Sequence, residues 1–342
     1  PYVCMLGIDD EGRRADRIVR KLLRKYPLSF IYRLFREKKV LVDGSAVQPD
    51  DRCRSGQKLI ILTEIAKVQS SAEHMPLRQQ SRDEQKVEDP PRIIWESDHL
   101  VAVHKPWGML THDGPHSLDS FVSNLLRDAL APSVSFRPGP LHRLDRNTSG
   151  IVMFSKSRIG ADSFSKALRE RKIGKLYLAV VRGAVHDEQH FDDLLVRDHV
   201  QRRSTVLQHA EPPIRPQHEQ VRKASMHMFR LATSGAMSLV AVDLQSGLTH
   251  QIRVQMAAHG LPLAGDAKYG GGSPPPGLRR YLLHAYSLIF KEEMTCVDRL
   301  LIEDEPEKLI LDWIFDCFDI DREMLRKRMY ELAKTIARQV HD

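Results

Sequence analysis

One acidic residue, Asp145, lies in a stretch whose residue types could do chemistry. Arg143 and Arg146 flank it, three small residues follow at 148–150, and a continuous apolar run begins at 151. A carboxylate beside two guanidinium groups should stay ionised. An ionised carboxylate can act as a nucleophile or stabilise a developing cation. Taken alone, an acid between arginines ahead of a strand is more typical of a structural ion pair, so the local pattern does not establish catalysis.

Other kinds of chemistry find little support in the residue types. The four cysteines include no Cys-x-x-Cys pair, and no His-x-x-x-His pair lies on an evident helix, so we expect no metal site. The glycines at 270–272 are followed by Ser-Pro-Pro-Pro. That continuation predicts a loop and not the helix start that a dinucleotide-type phosphate cradle requires, which argues against a methyltransferase.

The charge distribution is compatible with an anionic partner and equally with basic faces that are simply solvated. The net charge of the 342 residues is +7, but residues 1–65 carry +5 and residues 291–342 carry −5. An anion would therefore meet the N-terminal and central parts of the chain. No apolar run approaches the roughly 20 residues of a membrane span, and no stretch at the start resembles a signal peptide. We expect a cytoplasmic protein that does not bind membranes.

Residues 1–64 form a candidate module of two basic helices and a small sheet. Apolar residues recur at helical spacing among basic ones over 18–23 and again over 31–35, and strands are predicted at 40–42 and 59–62 around an Asp43–Gly44 turn. This rhythm resembles the S4 RNA-binding domain. The resemblance implies that lysines and arginines of the helices meet RNA phosphates, although a solvated helical hairpin remains an alternative.

The rest of the chain divides by composition. Residues 65–91 lack apolar periodicity and predict a flexible linker. Residues 92–290 alternate short strands with helices, including a helix at 251–258, as in an α+β domain. The polar, proline-interrupted stretch 186–224 is predicted to be a long excursion. Residues 291–342 predict a helical extension, with Met324, Leu325, Tyr330, Leu332 and Ile336 at helical spacing, that packs on the catalytic domain.

Several segments together resemble one enzyme family. The stretch 142–150 is similar to the signature of the RluA family of RNA pseudouridine synthases. Further segments agree in the family's order: the Lys-Pro turn at 103–109, the Lys-x-Tyr-x-Ala strand at 175–179, the third motif at 249–254 with its continuation to 266, and the last strand at 283–285. The resemblance implies an α+β fold, with a mixed, largely antiparallel sheet in the catalytic domain and a small α+β S4 domain before it.

The resemblance also implies roles for individual residues. Asp145 matches the essential aspartate, Arg253 the arginine that pairs with it, and Tyr177 the tyrosine that lies against the base and can carry a proton. Leu283 matches the apolar residue that lines the pocket. Further residues are expected to bind substrate: Arg143, Arg146, Lys175, His250 and Gln251. Because the reaction is an isomerisation, no cofactor is expected.

One departure from the family pattern concerns the loop before 249. The family usually has Gly-Arg at this point, whereas this chain has Gly247 and Leu248. An arginine that often supports the loop or contacts RNA is therefore missing. Loop rigidity or substrate binding is what this substitution puts in question.

The substrate remains open at this point. The N-terminal module resembles that of the large-subunit ribosomal RNA enzymes, especially the synthase C and D subgroups, so the expected partner of a monomeric protein is 23S ribosomal RNA or a pre-50S particle. A tRNA-directed synthase and a non-catalytic RNA-binding or ribosome-assembly protein are the alternatives. Ester and glycal-type mechanisms are both compatible with these residues.

Overall fold

The computed structural model describes residues 1–63, 90–127, 133–134, 136–198, 203–207 and 221–339. The predicted linker at 65–91 lies outside these residues except for its last two positions. Within the described ranges, no helix is long and apolar enough to cross a membrane.

The N-terminal unit is a small antiparallel sheet covered by two helices. The strands run in the order β1-β4-β2-β3, and their bounds are Tyr2–Met5 (β1), Val40–Val42 (β2), Ser45–Ala46 (β3) and Lys58–Ile61 (β4). The helices are Ala15–Leu22 (α1) and Leu28–Arg36 (α2). The predicted apolar positions Ile18, Val19, Ile31, Leu34 and Phe35 are all buried in one cluster, because they share the inner faces of the two helices. Strand β1 was missed, since its residues alternate between half-buried and exposed at a sheet edge.

The second unit is built on a sheet of eleven strands. The main order is β11-β10-β12-β13-β9-β14-β8-β6-β5, with β15 beside β14 and β7 beside β8. The strands are Arg92–Glu96 (β5), Leu100–Lys105 (β6), Gly139–Pro140 (β7), Ser149–Ser155 (β8), Ile173–Arg182 (β9), Gln189–Asp198 (β10), Arg203–Val206 (β11), Val221–Ser234 (β12), Met237–Leu244 (β13), Leu283–Phe290 (β14) and Leu301–Glu303 (β15). Only β8 and β14 pair in parallel among these described strands. The sheet is therefore mixed and largely antiparallel, which confirms the predicted fold class.

Helices cover both faces of this sheet. They are Leu118–Leu125 (α3), Arg158–Arg169 (α4), Gln251–Ala258 (α5), Lys308–Phe318 (α6) and Arg322–Arg338 (α7). Side chains alternate along a strand, so β9 sends Leu176, Leu178 and Val180 into one cluster with α6 and α7. The intervening residues Tyr177 and Ala179 enter the cluster that contains α3 and α5.

Two predictions about the fold need correction. The stretch 186–224 is not only an excursion, because β10, β11 and the start of β12 lie within it and extend the sheet. Their polar residues alternate with buried ones such as Phe191 and Leu195. One face of these strands is therefore exposed to solvent, and the other packs against the hydrophobic core. The C-terminal extension does pack on the sheet. Its buried stripe, however, is Leu325, Met329, Ala333 and Ile336, whereas Met324 and Tyr330 are exposed.

Candidate active site

Asp145 lies in the loop that leads into β8. The Thr148 backbone N–H donates to the Asp145 carbonyl at 3.1 Å. One residue earlier, the Leu144 backbone is fixed by Thr111, whose hydroxyl accepts from Leu144 N at 3.2 Å and donates to Leu144 O at 3.0 Å. The Asp145 side chain is 20% exposed. The carboxylate is thus held on a rigid loop but can still be reached from solvent.

Close packing of β8 against β14 fixes the position of this loop. Gly150 pairs with Ala285 in the parallel register and has φ of +111°. A Cβ at this position would lie 2.3 Å from the Ala285 carbonyl oxygen, so only glycine permits the approach. The first residue of β14, Leu283, therefore starts beside the loop and is 4% exposed in the same apolar cluster as Tyr177.

Arg253 connects Asp145 to a second carboxylate. Its Nη1 donates to Asp145 Oδ2 at 3.2 Å. Its other two nitrogens make a bidentate pair with Asp266, at 2.7 Å from Nε and 2.9 Å from Nη2. Burial lowers the pKa of Arg253, but the hydrogen bonds to Asp266 and the nearby negative charges raise it by more. The net pKa is therefore above the ordinary value, and the guanidinium is permanently charged.

Arg253 therefore pairs with Asp145 through one hydrogen bond and not through the fork of its guanidinium. The fork is used on Asp266, whose side chain is 2% exposed, and Asp145 receives a single bond. The guanidinium also lies 5.0 Å from the ring centre of Tyr269 and 4.7 Å from that of Tyr281. A cation held by one carboxylate and two aromatic rings has little freedom to move. This leaves Asp145 Oδ1 without a hydrogen bond within the described part of the chain.

His250 approaches the same carboxylate oxygen. Its Nε2 is 3.8 Å from Asp145 Oδ2, and its Nδ1 is 2.8 Å from the Tyr269 hydroxyl. Burial lowers the pKa of His250 to about 4, against an opposing effect of Asp145, so the ring is neutral at neutral pH. Since the Ser204 N–H donates to the Tyr269 oxygen at 3.1 Å, the contacts are satisfied when Tyr269 donates to Nδ1 and the imidazole proton sits on Nε2, towards Asp145.

Tyr177 and Tyr281 form the apolar side of the site. Both are buried, at 6% and 4% exposure. Burial is the largest cause that raises the pKa of each phenol, and the charge of Asp145 adds to it in both. Both hydroxyls therefore stay protonated at physiological pH. Such a phenol can donate a hydrogen bond or a proton, and its ring offers a flat face to a base.

Lys105 holds the loop that carries Asp145. It is fully buried, and its ammonium donates to the carbonyls of Pro106 at 3.0 Å, Met109 at 2.9 Å and Arg146 at 3.2 Å. Burial lowers the pKa of Lys105 to about 7, while Asp145 opposes the shift. The lysine of the Lys-Pro turn thus ties that turn to the residue after Asp145.

The two arginines that flank Asp145 point outward. Both are exposed; Arg146 donates from Nε to the Gly108 carbonyl at 2.9 Å, and the following Asn147 accepts from Arg280. Arg143 makes no hydrogen bond or ion pair with any described residue. Neither guanidinium is paired with Asp145, so both remain available to an anionic ligand.

Lys175 and Gln251 lie further inside than expected for substrate-binding residues. Lys175 donates to the Ser246 carbonyl at 3.4 Å, and burial lowers its pKa to about 8, opposed by Asp243. Gln251 is 2% exposed. Its amide oxygen accepts from Leu248 N and Ser246 Oγ, and its nitrogen donates to Ser225 O and Gln255 Oε1. All of its hydrogen bonds are used within the protein, so its contribution is to hold the loop before α5.

Leu248, which stands where the family usually has an arginine, packs against neighbouring apolar side chains. Leu248 contacts a small cluster with Leu195, Val254 and Tyr269. Together with the Gln251 bonds, this packing keeps the loop fixed without an arginine. Other cations stand close by: Arg203 lies 5.3 Å from the Tyr269 ring centre, and the pKa of Lys268 is lowered by burial and then by Arg253, Arg203 and Arg197.

Several residues of the site were not assigned roles from the sequence. Asp266 stood in a matching motif without a function, and Lys105 appeared to be part of an ordinary turn. Tyr269 and Tyr281 gave no signal, because a tyrosine in a loop carries no period or spacing that marks it. No group of three or more His, Cys, Asp or Glu side chains could hold a metal ion in the ranges that the structure covers.

Comparison with known proteins finds similarity to one enzyme family. A family profile described as RNA pseudouridylate synthase matches residues 99–258. Ribosomal large subunit pseudouridine synthase C of Escherichia coli K12 is 32% identical over 310 residues, which cover 85% of this chain and 89% of the relative. Synthase D of Nitrosomonas europaea is 29% identical over 289 residues, covering 81% and 76%.

The fold has a solved counterpart as well. Human RNA Pseudouridylate Synthase Domain Containing 1 superposes with a TM-score of 0.54 at 21% identity, covering 70% of this chain and 95% of that structure. The level of identity to synthase C, sustained over most of both chains, decides the assignment. This chain belongs to the RluA-type family of RNA pseudouridine synthases.

Proposed function

We propose that this enzyme converts uridine to pseudouridine in large-subunit ribosomal RNA and that Asp145 is its catalytic carboxylate. The observation that carries the proposal is the asymmetric hold on Asp145. Oδ2 is bound by Arg253 at 3.2 Å, and Oδ1 carries no hydrogen bond to any described residue. A carboxylate fixed by one oxygen leaves the other free to act on a substrate.

The chemistry requires a group of this kind. The N1–C1′ bond of uridine breaks, the uracil turns, and a C5–C1′ bond forms, while the proton on C5 is replaced by one on N1. Asp145 Oδ1 either bonds to the sugar or base in an ester intermediate, or acts on the sugar in a glycal-type route. In both cases the hydrogen bond from Arg253 holds the carboxylate in one orientation.

The surrounding residues are suited to a base that has left its stack. Extrusion costs a few kcal/mol, which stacking and pocket contacts offset. The rings of Tyr177 and Tyr281 and the side chain of Leu283 supply an apolar wall. Arg143 and Arg146, both exposed, are positioned to meet phosphates of the flipped nucleotide. The N-terminal unit is the proposed S4-like RNA-binding module.

The ribosomal substrate rests on the relatives. Synthases C and D are each named for the large ribosomal subunit, and the alignment with synthase C extends over most of both chains. A tRNA-directed synthase and a non-catalytic assembly protein are the competing candidates. Both make different predictions in the experiment below.

The test compares the wild-type protein with Asp145→Asn on ribosomal RNA transcribed with uridine that is tritiated at C5. Wild-type protein should release tritium, and the variant should release it at least about a thousandfold more slowly. The matched control is Asp316→Asn, an exposed aspartate on α6, which should behave as wild type. Equal rates for wild type and Asp145→Asn would remove the carboxylate from the mechanism.

The substrate is tested separately in cells. Carbodiimide primer extension on ribosomal and transfer RNA should reveal loss of a pseudouridine from large-subunit RNA when the gene is deleted. Loss from transfer RNA only would replace the ribosomal assignment. No loss together with no tritium release would favour the non-catalytic alternative.

A further inference from the structure

A second anion-binding surface lies between the N-terminal unit and the catalytic unit. It is a cleft of about 640 Å³ whose lining contains seven basic residues and one acidic residue, Asp162. One wall belongs to the N-terminal unit and carries Arg13, Arg14, Arg17, Lys21 and Arg52. The other wall carries Arg137 and Arg158 of the catalytic unit. Asp145 is not among the residues that line this cleft.

Buried acids of the N-terminal unit hold the two walls together. Asp9 Oδ1 accepts from the backbone N–H of Arg158, the first residue of α4, at 2.7 Å. The Arg158 guanidinium in turn donates to the carbonyls of Asp9 at 3.0 Å and Glu11 at 2.9 Å. Asp10 accepts from the Val134 N–H at 3.1 Å. Asp9 and Asp10 are 7% and 0% exposed, so this contact is a packed junction that fixes the width of the cleft.

The positive charge inside the cleft is only partly neutralised. Arg17 and Lys21 make no ion pair with any residue in the described ranges, and Arg137 is 3.8 Å from Asp119 while 57% exposed. The pKa of Lys21 is lowered by burial and then by Arg24, Arg13 and Arg137, and that of Arg13 by burial and then by Arg158. Cations from both walls therefore repel each other across the cleft. A polyanion placed between them would relieve that repulsion.

The cleft is also connected to the catalytic loop. Leu141 lines it and precedes Asp145 by four residues. Four extended residues span at most about 14 Å, so the cleft begins within that distance of the Asp145 backbone. An RNA strand that delivers a uridine to Asp145 therefore comes within about 14 Å of the cleft at Leu141.

We propose that this cleft binds the phosphate backbone of RNA next to the target uridine, between Lys21 of the N-terminal unit and Arg137 of the catalytic unit. The proposal rests on RNA being the substrate, as proposed above. It makes the N-terminal unit a fixed wall of the binding site and not a tethered module that grips RNA independently. An acidic protein surface is the competing ligand class, but phosphates spaced along a strand fit a cleft with cations on two sides better.

The test measures binding of in-vitro-transcribed large-subunit ribosomal RNA by filter retention at several salt concentrations. All proteins carry Asp145→Asn, so that turnover does not change the RNA. Lys21→Ala and Arg137→Ala should each weaken binding several-fold and lower the slope of log affinity against log salt by about 0.7–0.9. The double variant should lose about tenfold or more. Thermal unfolding of each variant verifies that the fold is retained.

The control is the double variant Lys327→Ala and Arg338→Ala, which removes the same two charges from exposed positions on α7. An equal loss in this control would mean that total charge and not the cleft governs binding, and would overturn the proposal. So would an unaltered affinity for Arg137→Ala, since the catalytic wall would then take no part. Tritium release by the wild-type protein is measured alongside. If that release fails while the cleft variants still lose affinity, the catalytic proposal falls and the cleft stands.

Discussion

Replacement of Asp266 by asparagine tests whether Asp266, the second carboxylate that Arg253 binds, keeps Asp145 Oδ1 free of a hydrogen bond from Arg253. The change keeps the shape of the side chain and removes its charge from a pair with Arg253 whose side chains are 9% and 2% exposed. At a charge separation of about 4 Å and an effective dielectric constant of about 20, the pair attracts by roughly 4 kcal/mol. The asparagine oxygen still accepts one hydrogen bond, worth about 1–2 kcal/mol.

The expected net loss in the free energy of unfolding for Asp266→Asn is therefore about 2–3 kcal/mol. This corresponds to a fall in melting temperature of about 5–10 °C for a unit of this size. Activity should fall as well. With Asp266 neutral, Asp145 becomes the nearest carboxylate for Arg253, and we expect the guanidinium to turn and bind both of its oxygens. The free Oδ1 would then be lost, and the single-turnover rate should drop at least about tenfold.

The assays are thermal unfolding by circular dichroism and single-turnover tritium release. Asp316→Asn serves as the matched control, because an exposed aspartate on α6 should change stability by no more than about 0.5 kcal/mol. Wild-type melting and a wild-type rate in Asp266→Asn would refute the reasoning. A loss of stability with an unchanged rate would leave Asp266 as a purely structural anchor.

Three further outcomes follow from the geometry. Burial lowers the pKa of His142 to about 3; between pH 6.5 and 3 the unfolded chain binds a proton there that the folded chain does not, so stability falls as pH falls. The free energy of unfolding, measured by urea denaturation, should differ between pH 7 and pH 5 by about 2 kcal/mol less in His142→Gln than in wild type. An equal pH difference in the two proteins would contradict this. Gly150→Ala should lower the melting temperature by well over 5 °C or prevent soluble expression, because its Cβ meets Ala285, whereas Gly139→Ala, which meets nothing within 4 Å, should express and melt as wild type. Gln251→Ala should raise hydrogen exchange at 246–250 and lower the rate constant for turnover; a change confined to RNA affinity would instead indicate direct contact with substrate.

Elements with a regular apolar period were predictable from the sequence. The helix at 251–258 was predicted with its observed bounds, and the N-terminal helices were found because their inner residues recur every three or four positions. Strands β10 and β12 were missed even though Ala224, Met226 and Met228 alternate as a half-buried strand requires. Because polar residues lie between these three and prolines lie nearby, the stretch resembled a loop more than a strand.

The site was predictable only in part, and for a physical reason. Family resemblance brought Asp145, Tyr177 and Arg253 together, and the structure does place Arg253 against Asp145. The preference of Arg253 for Asp266 could not be predicted, because which carboxylate receives the fork depends on distances between α5 and the loop that follows it. The effect of Leu248 on the loop was likewise not predictable, because hydrogen bonds of Gln251 and apolar packing hold this loop in place of an arginine.

The packing of α6 and α7 behind β9 has a consequence for how the protein is made. The front of β9 carries Tyr177, and its back is covered by residues as late as Ile336. During synthesis, β9 therefore lacks this cover until Ile336 has left the ribosome, whereas the strands of the N-terminal unit are all present after residue 61. We expect the N-terminal unit to fold first and the catalytic unit to close only after residue 336 has emerged. The strand that carries Tyr177 would then be covered on both faces only after the N-terminal unit has already folded.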